Sequence, residues 1–329
     1  MANISGILIQ SAAAGNSKPS AIYLDVKNIV GVILAPKGYQ ISNTNLATAA
    51  AAITALQADI ANSSKAARLF PIFGFEQIAD NSEDIQVQTT SIGSRHVVRE
   101  GYQDWKFEFF TGGLSLLMQL RKFNKQSTSH DFFFIDAQNR LIGMSVNDGS
   151  GNVILQAIPC DGGFFWAHPW KMNDGSKLAQ YMLQFVFAPK YINELVNYVD
   201  LSAYDLPTTL IGLEDVNLTG AADITSGSYD IIPQTPTGIY LAANYGAALA
   251  QVGAWTATTL AGLVIPILTV TALGDGKTFV VALDKTSANY PSTGGAKVFI
   301  NFTAPAVQAA LTIAFTGFES TGAVGIVKN

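Results

Sequence analysis

The chain has 329 residues, 49% hydrophobic and only 13% charged, with a net charge of −5. That length can bury a substantial core and admits two domains, while the acidic balance leaves no basic footprint for nucleic acid. The single cysteine, Cys160, excludes an intrachain disulfide framework and a thiolate metal cluster.

The N-terminus, MANISGILIQ, lacks a basic stretch followed by an apolar one, so no signal peptide is read there. The most apolar run, Leu263 to Leu273, is too short and too rich in Thr to span a bilayer. The expectation is a soluble product made in the cytoplasm, with no membrane insertion. The charged share is about half the usual one. A surface so poor in charge is expected to be covered by copies of the same chain or by partners.

Residues 1–20 are small and polar and read as an arm. Two strands follow, AIYLDV and IVGVILA, the second apolar enough to be buried on both faces. An alanine-rich helix is predicted over Thr44–Asn62, with Leu46, Ile53, Leu56 and Ile60 at helical spacing and Asn43 or Thr44 as cap. Its apolar stripe is narrow, so it is expected to lie on a surface. Ile72–Ala79 reads as a strand and Asp80–Asp84 as an acidic loop.

The runs beginning at Ile85 and at Val97 are expected to form one long hairpin turning around Ile92–His96. Its outward face is predicted to carry Gln86, Gln88, Asp104, Lys106 and Glu108. Trp105, Phe107 and Phe109 alternate with the last three and point to a core. After Thr111 as cap and Gly112-Gly113 as break, Leu114, Leu117, Met118 and Leu120 form one helical stripe, with Phe123 one turn on.

DFFFIDAQNRLIGMSV predicts a second hairpin with Gln138-Asn139 at its tip, since Asn tolerates the left-handed backbone of such turns. Asp148–Asn152 reads as a turn and Val153–Ile158 as a short strand. GGFFWAH and KLAQYMLQFVFA read as two further strands joined around Asn173–Ser176. Composition shifts near Leu206-Pro207: 15 Lys/Arg and 17 Asp/Glu lie before it, and 4 and 7 after it, which together make the chain's 19 and 24. Short strand candidates then recur between turns: IGLEDVNLT, SYDIIP, GIYLAAN, WTATTLA, VIPILTVTAL, KTFVVALD, AKVFINFT, ALTIAFTGF and AVGIV. The fold class is therefore mainly β. Residues 1–205 form a sandwich- or barrel-type domain with one packed helix and an inserted Ala-rich helix, and residues 206–329 form an antiparallel β-sandwich of immunoglobulin-like size.

Chemistry is scarce. His96, His130 and His168 share no ligand spacing, and neither a metalloprotease helix motif nor a nucleophile elbow is present. Gly274-Asp275-Gly276-Lys277 lacks the earlier glycine of a phosphate loop, Thr271 standing in its place, and reads as a β-turn. No catalytic, cofactor-binding or metal-binding residue is assigned, and the chain is read as a non-enzyme.

PIFGFEQI (Pro71–Ile78), the QVQTTSIG…VVREGYQDWKFEFF hairpin and GGLSLLMQLRKF, followed by an appended β-sandwich, give a pattern. Over roughly residues 20–200 it resembles the tail tube proteins of long-tailed bacteriophages that carry a C-terminal immunoglobulin-like domain. The resemblance implies a self-assembling structural subunit of the virion tail, put together in the host cytoplasm. Its copies form stacked, hexameric rings whose inner sheets close into one β-barrel. The channel conducts DNA during ejection, and other tail proteins are the remaining partners. Gln86, Gln88, Asp104, Lys106 and Glu108 would line the lumen, where few cations let DNA pass without specific binding. The Ala-rich helix departs from the simplest tube subunits and is a candidate inter-ring contact. The C-terminal sandwich is expected outside the assembly. The alternative is another virion structural protein: a capsid decoration protein, a head-fibre base or a capsid subunit. A glycan-binding or glycan-hydrolysing surface protein would want exposed aromatics beside paired carboxylates in the C-terminal sandwich, where Trp255 is the only Trp.

Overall fold

The structure is a computed structural model. It describes residues 28–84, 86–99, 101–110, 113–126, 130–150, 152–160, 164–172, 180–189, 191, 196–223, 227–291 and 296–327. The N-terminal arm, the AIYLDV strand, the Thr111 cap and the Asn173–Ser176 turn lie outside the described residues. The fold is mainly β, with several antiparallel sheets. The chain divides into two compact units, Met1–Ile60 with Ser64–Leu210, and Ala61–Ser63 with Ile211–Asn329. The sequence reading drew its line at Leu206. Leu206, which opens the short helix Leu206–Thr209, and Leu210, which caps its end, instead bury themselves in the first unit's core.

The first unit is built on β1 (Ile29–Pro36), β2 (Gln40–Ile41), β3 (Phe70–Phe73), β4 (Gln77–Asp80), β5 (Gln86–Thr89), β6 (Arg95–Arg99) and β7 (Gln103–Phe109). It continues with β8 (His130–Asp136), β9 (Arg140–Asn147), β10 (Val153–Gln156), β11 (Phe164–Ala167), β12 (Tyr181–Phe187) and β13 (Val196–Asp200). One sheet has the order β2-β10-β9-β8-β1-β3, with β13 also paired to β9; the other has the order β11-β12-β7-β4.

The first sheet is buried on both faces, and alternation along its two central strands shows how. Val32, Leu34, Phe132 and Phe134 join the core shared with the second sheet, while Ile33, Ala35, Phe133 and Ile135 join a separate core on the other side. Strands wetted on neither face need apolar residues at every position, which explains the unbroken runs VILA and FFFI. At Gly143 the strands crowd so closely that a Cβ would stand 2.6 Å from the Gln156 carbonyl oxygen.

That outer core is closed by helix α1 (Ala49–Ile60), which buries Ala52, Ile53, Leu56 and Ile60. The helix starts later than its periodicity suggested, because Thr48 is the cap: its Oγ1 accepts the Ala51 amide at 3.1 Å. Tyr39 donates to Asp59 Oδ2 at 2.5 Å and ties the last turn of α1 to the sheet edge. Burial and the neighbouring Asp59 carboxylate push the Tyr39 hydroxyl well above its ordinary pKa.

The inter-sheet core is aromatic. Trp105, Phe107 and Phe109 on β7 oppose Phe185, Leu183 and Tyr181 on β12, and Phe134 packs against Trp105 with ring centroids 4.9 Å apart. Helix α2 (Gly113–Lys122) contributes Leu117 and Leu120 to this core, whereas Met118, expected on the same stripe, is exposed. The predicted Ile72–Ala79 strand is two strands. Gly74 takes a left-handed backbone at φ +85°, and the chain there leaves the first sheet for the second.

The second unit packs a sheet of order β17-β18-β15-β14-β20 on one of order β16-β19-β21. Its strands are β14 (Glu214–Asp223), β15 (Ser228–Gln234), β16 (Trp255–Thr259), β17 (Ile267–Ala272), β18 (Phe279–Leu283), β19 (Lys297–Phe302), β20 (Phe318–Ser320) and β21 (Val324–Val327). Tyr229, Ile231, Trp255, Phe279, Val281, Ile300 and Phe302 fill the space between them. Two departures stand out. GIYLAAN was expected as a strand, but its end opens the helix Ala242–Leu249. β14 and β20 pair in parallel, the one parallel ladder among the described strands.

Candidate functional site

Asp80–Glu83 and Gln103–Tyr102 carry the β4–β7 ladder outward without a change of register. The pairing runs from Gln77↔Glu108 to Asp80↔Trp105. It continues through Asn81 donating to the Asp104 carbonyl at 2.7 Å and Glu83 to that of Tyr102 at 2.9 Å, and reaches Gln86↔Arg99. A shift beyond Gln86 then gives Val87↔Val97, Gln88↔His96 and Thr89↔Arg95. The tip closes on Thr90 and Ser94, whose backbones bond at 2.8 Å, with Gly93 left-handed at φ +83°. The turn is therefore Thr90–Ser94, two residues earlier than the sequence reading placed its end, and His96 lies in a strand rather than in the loop.

The two ends of this ladder differ in what covers them. Trp105, Phe107 and Phe109 are buried between sheets. β5 and β6 form a two-stranded sheet of their own, with every residue exposed. Val87 is 51% exposed, Ile92 88%, and Val97 and Val98 62% each. Alternation does not hide these four, because no second layer lies behind either face among the described residues. At the base, Arg99 pairs with Glu83 and lies 5.6 Å from the centre of the Tyr102 ring. Gly101 packs so tightly that a Cβ would fall 1.7 Å from the Glu83 carbonyl oxygen.

The five predicted lumen residues are divided by this geometry. Gln86 and Gln88 are on the free hairpin. Asp104, Lys106 and Glu108 are half-buried on the outer face of the four-stranded sheet, the face turned away from the aromatic core. With one register from Gln77 to Gln86, alternation puts Gln86 on the same side as Asp80 and Trp105, opposite Asp104. The five residues thus do not form one face.

What does gather around Asp104 is a polar row across three strands. His168 Nε2 and Gln184 Oε1 are 2.8 Å apart, and Gln184 Nε2 donates to Asp104 Oδ1 at 2.8 Å. Ser82 Oγ accepts the Asp104 amide at 3.2 Å. Exposed Phe164 and Trp166 flank this row on the edge strand β11. The sequence reading gave GGFFWAH as a strand without assigning its faces, although the alternation of Phe165 and Ala167 inward and Phe164 and Trp166 outward is legible in it.

Among the described residues no three His, Cys, Asp or Glu side chains are grouped to hold a metal ion. The two turns that superficially suggest ligand loops bind their own backbone. Asp148 accepts the amides of Ser150 and Asn152 at 2.8 and 3.1 Å. Asp275 accepts those of Lys277 and Thr278, each at 2.9 Å, and the Thr278 hydroxyl at 2.6 Å. The Thr278 hydroxyl and these amides pull the Asp275 pKa down to about 2.

No family model matches the chain, and no curated protein matches it. One solved structure, the adhesin domain of Epf from Streptococcus pyogenes, is similar to it at 7% identity and a TM-score of 0.23, over 75% of this chain and 84% of that one. A likeness that slight carries no argument about fold or function. No helix among the described residues is long and apolar enough to cross a membrane.

Proposed function

We propose that this chain is a self-assembling structural subunit of a phage tail tube, forming stacked rings around a bore through which DNA passes unbound. The observation that carries the reading is the hairpin Gln86–Arg99, which exposes Val87, Ile92, Val97 and Val98 and has no core of its own. A two-stranded ribbon standing alone in water is marginal at best. This one becomes a stable element when another copy supplies its missing layer.

Two further features support the proposal. Among the described residues the four-stranded sheet ends in two short edges, β4 and β11, and edges of this kind invite a neighbouring strand; ring closure removes such edges. Its outer face carries a polar row of mixed charge at Asp104, Lys106, Glu108 and Gln184, flanked by Phe164 and Trp166, and the lack of a basic cluster in that row suits a wall that does not hold phosphates. Helix α1 is the weaker candidate for an inter-ring contact, since its apolar side already covers the first sheet.

Negative-stain microscopy of the purified full chain tests the proposal. Rings or tubes are expected, and Val97→Asp with Val98→Asp should abolish them while shifting unfolding free energy by no more than about 0.5 kcal/mol, the usual range for exposed sites. Wild-type chains that stay monomeric at all concentrations would overturn it.

A further inference from the structure

The second unit has an apolar projection that the tube reading leaves unused. Leu260 is 81% exposed, Leu263 53% and Val264 64%, all within the connection from β16 to β17, and Leu268, the second residue of β17, is 58% exposed. This is not a loose loop. The Thr259 amide donates to the Leu263 carbonyl at 2.9 Å, and the Gly262 amide to that of Thr259 at 2.9 Å. Thr259 Oγ1 accepts the Leu263 amide at 3.2 Å, and Asn289 Nδ2 donates to the Val264 carbonyl at 2.8 Å. Ile265, behind the projection, is buried and donates its amide to Ala257 at 2.8 Å. The exposed leucines are thus presented on a fixed frame, and little ordering entropy remains to be lost on contact.

We infer that this projection is a self-association surface, and that its occupant is the same projection of a second copy, meeting it across a two-fold axis. Two observations select that occupant. The first is charge. The chain carries −5, so copies repel, yet no Asp, Glu, Lys, Arg or His occurs from Ile231 to Gly274. The projection lies in that stretch, where two like-charged chains approach at least electrostatic cost. Asp284, whose amide donates to the Pro266 carbonyl behind the projection, has its carboxylate occupied by the Thr286 amide and hydroxyl.

The second observation is area. The four side chains offer roughly 400 Å² of apolar surface, the size of patch that marks an interaction site on a monomer. Meeting a copy of itself, the patch covers about 800 Å² in all, below the roughly 1,200 Å² at which stable complexes begin. The contact is therefore a weak, exchanging one that becomes consequential where copies are held close together. It proceeds through side chains rather than an added strand, because the edge strand β17 shifts register between Ile267 and Thr269, and a bulge of this kind blunts an edge.

Sedimentation velocity of the full chain carrying Val97→Asp and Val98→Asp tests the inference with the hairpin contact removed. A reversible monomer–dimer equilibrium is expected with a dissociation constant on the order of 10⁻⁵ to 10⁻⁴ M, as for small transient interfaces. Adding Leu260→Asp and Leu263→Asp should weaken it at least about tenfold, the milder Leu260→Ser less, and about 1 M NaCl should not weaken it, since no ion pair is involved. An unchanged thermal midpoint in each variant excludes misfolding as the cause. A monomer at every concentration, or a dimer indifferent to both leucines, would overturn the inference. So would absence of the dimer together with binding to phosphatidylcholine vesicles that Leu260→Asp removes, which would assign the projection to lipid. Rings from the wild-type chain without this dimer would leave the tube proposal standing and this inference fallen; the dimer without rings would do the reverse.

Discussion

The inner and outer halves of one hairpin make the sharpest contrast in the molecule. β4 with β7 and β5 with β6 are the same two runs of chain, aligned in one register up to Gln86↔Arg99. β7 alternates apolar and polar residues, and so does β5, whereas β6 sets Val97 and Val98 side by side where the register shifts. The inner half buries Trp105, Phe107 and Phe109 beneath a second sheet, and the outer half leaves Val87, Val97 and Val98 in solvent. Pairing is therefore decided locally, by alternation and turn chemistry, while burial is decided by whether a further layer exists. Where a ladder outruns the layer its own chain provides, the surplus is best explained by a layer from elsewhere.

The contrast can be broken by mutation. Phe107→Ala removes a fully buried ring that packs on Phe75 and Phe185, with centroids 4.8 and 5.4 Å away. It should cost about 3–5 kcal/mol in denaturant unfolding. The hairpin pair Val97→Asp and Val98→Asp should do the opposite, sparing stability and losing assembly; equal effects of the two on stability would show that the outer half has cover within its own chain.

A substitution at the joint should fall between these. Gly101→Ala places a methyl group against the Glu83 carbonyl and should cost about 1–3 kcal/mol, as overpacking does. It should also part the Glu83–Tyr102 bond, read as faster amide exchange at Glu83 with exchange at Asp80 unchanged.

The smallest effect concerns a turn remote from the hairpin. Asp275 has its folded pKa lowered to about 2 by Thr278 and by the Lys277 and Thr278 amides. A depressed carboxylate contributes stability that is present above its unfolded pKa of about 4 and is lost as pH falls through the folded value. Asp275→Asn should therefore lower the thermal midpoint slightly at pH 7 and leave it closer to wild type near pH 2. A gap that widens toward pH 2 would contradict this sign.

The parts of the fold legible in the sequence were those in which a segment's neighbours lie within its own pattern. VILA and FFFI announced a sheet covered twice, and Asn139, at φ 56°, stands in the turn its tolerance for that backbone foretold. The hairpin was legible as a ladder, but its exposure was not, because alternation records two faces and not what stands behind them. For the same reason the five lumen residues were read as one face when the shared register divides them. The helix Ala242–Leu249 was misread as a strand because β-prone Ile239 and Tyr240 precede it. The burial of Leu241, Ala242, Ala248 and Leu249, two turns apart, is the helical period that could have corrected it. No motif search finds Phe164 and Trp166 on the outer face, since aromatic residues in a strand are ordinarily core.

The way β7 is mounted has a mechanical consequence. It is clamped along its whole length by β12 on one side and along half of it by β4 on the other, and both arms of the hairpin issue from that clamp. The ribbon is a cantilever rooted in a strand paired on both sides. A pull at Ile92 along the strand direction loads the β7–β12 ladder in shear, so its rungs share the force and none yields alone. Any neighbour gripping the tip is thereby coupled to the aromatic core itself, and a tensile load entering at the Thr90–Ser94 turn would pass down both arms into the backbone rungs of β7.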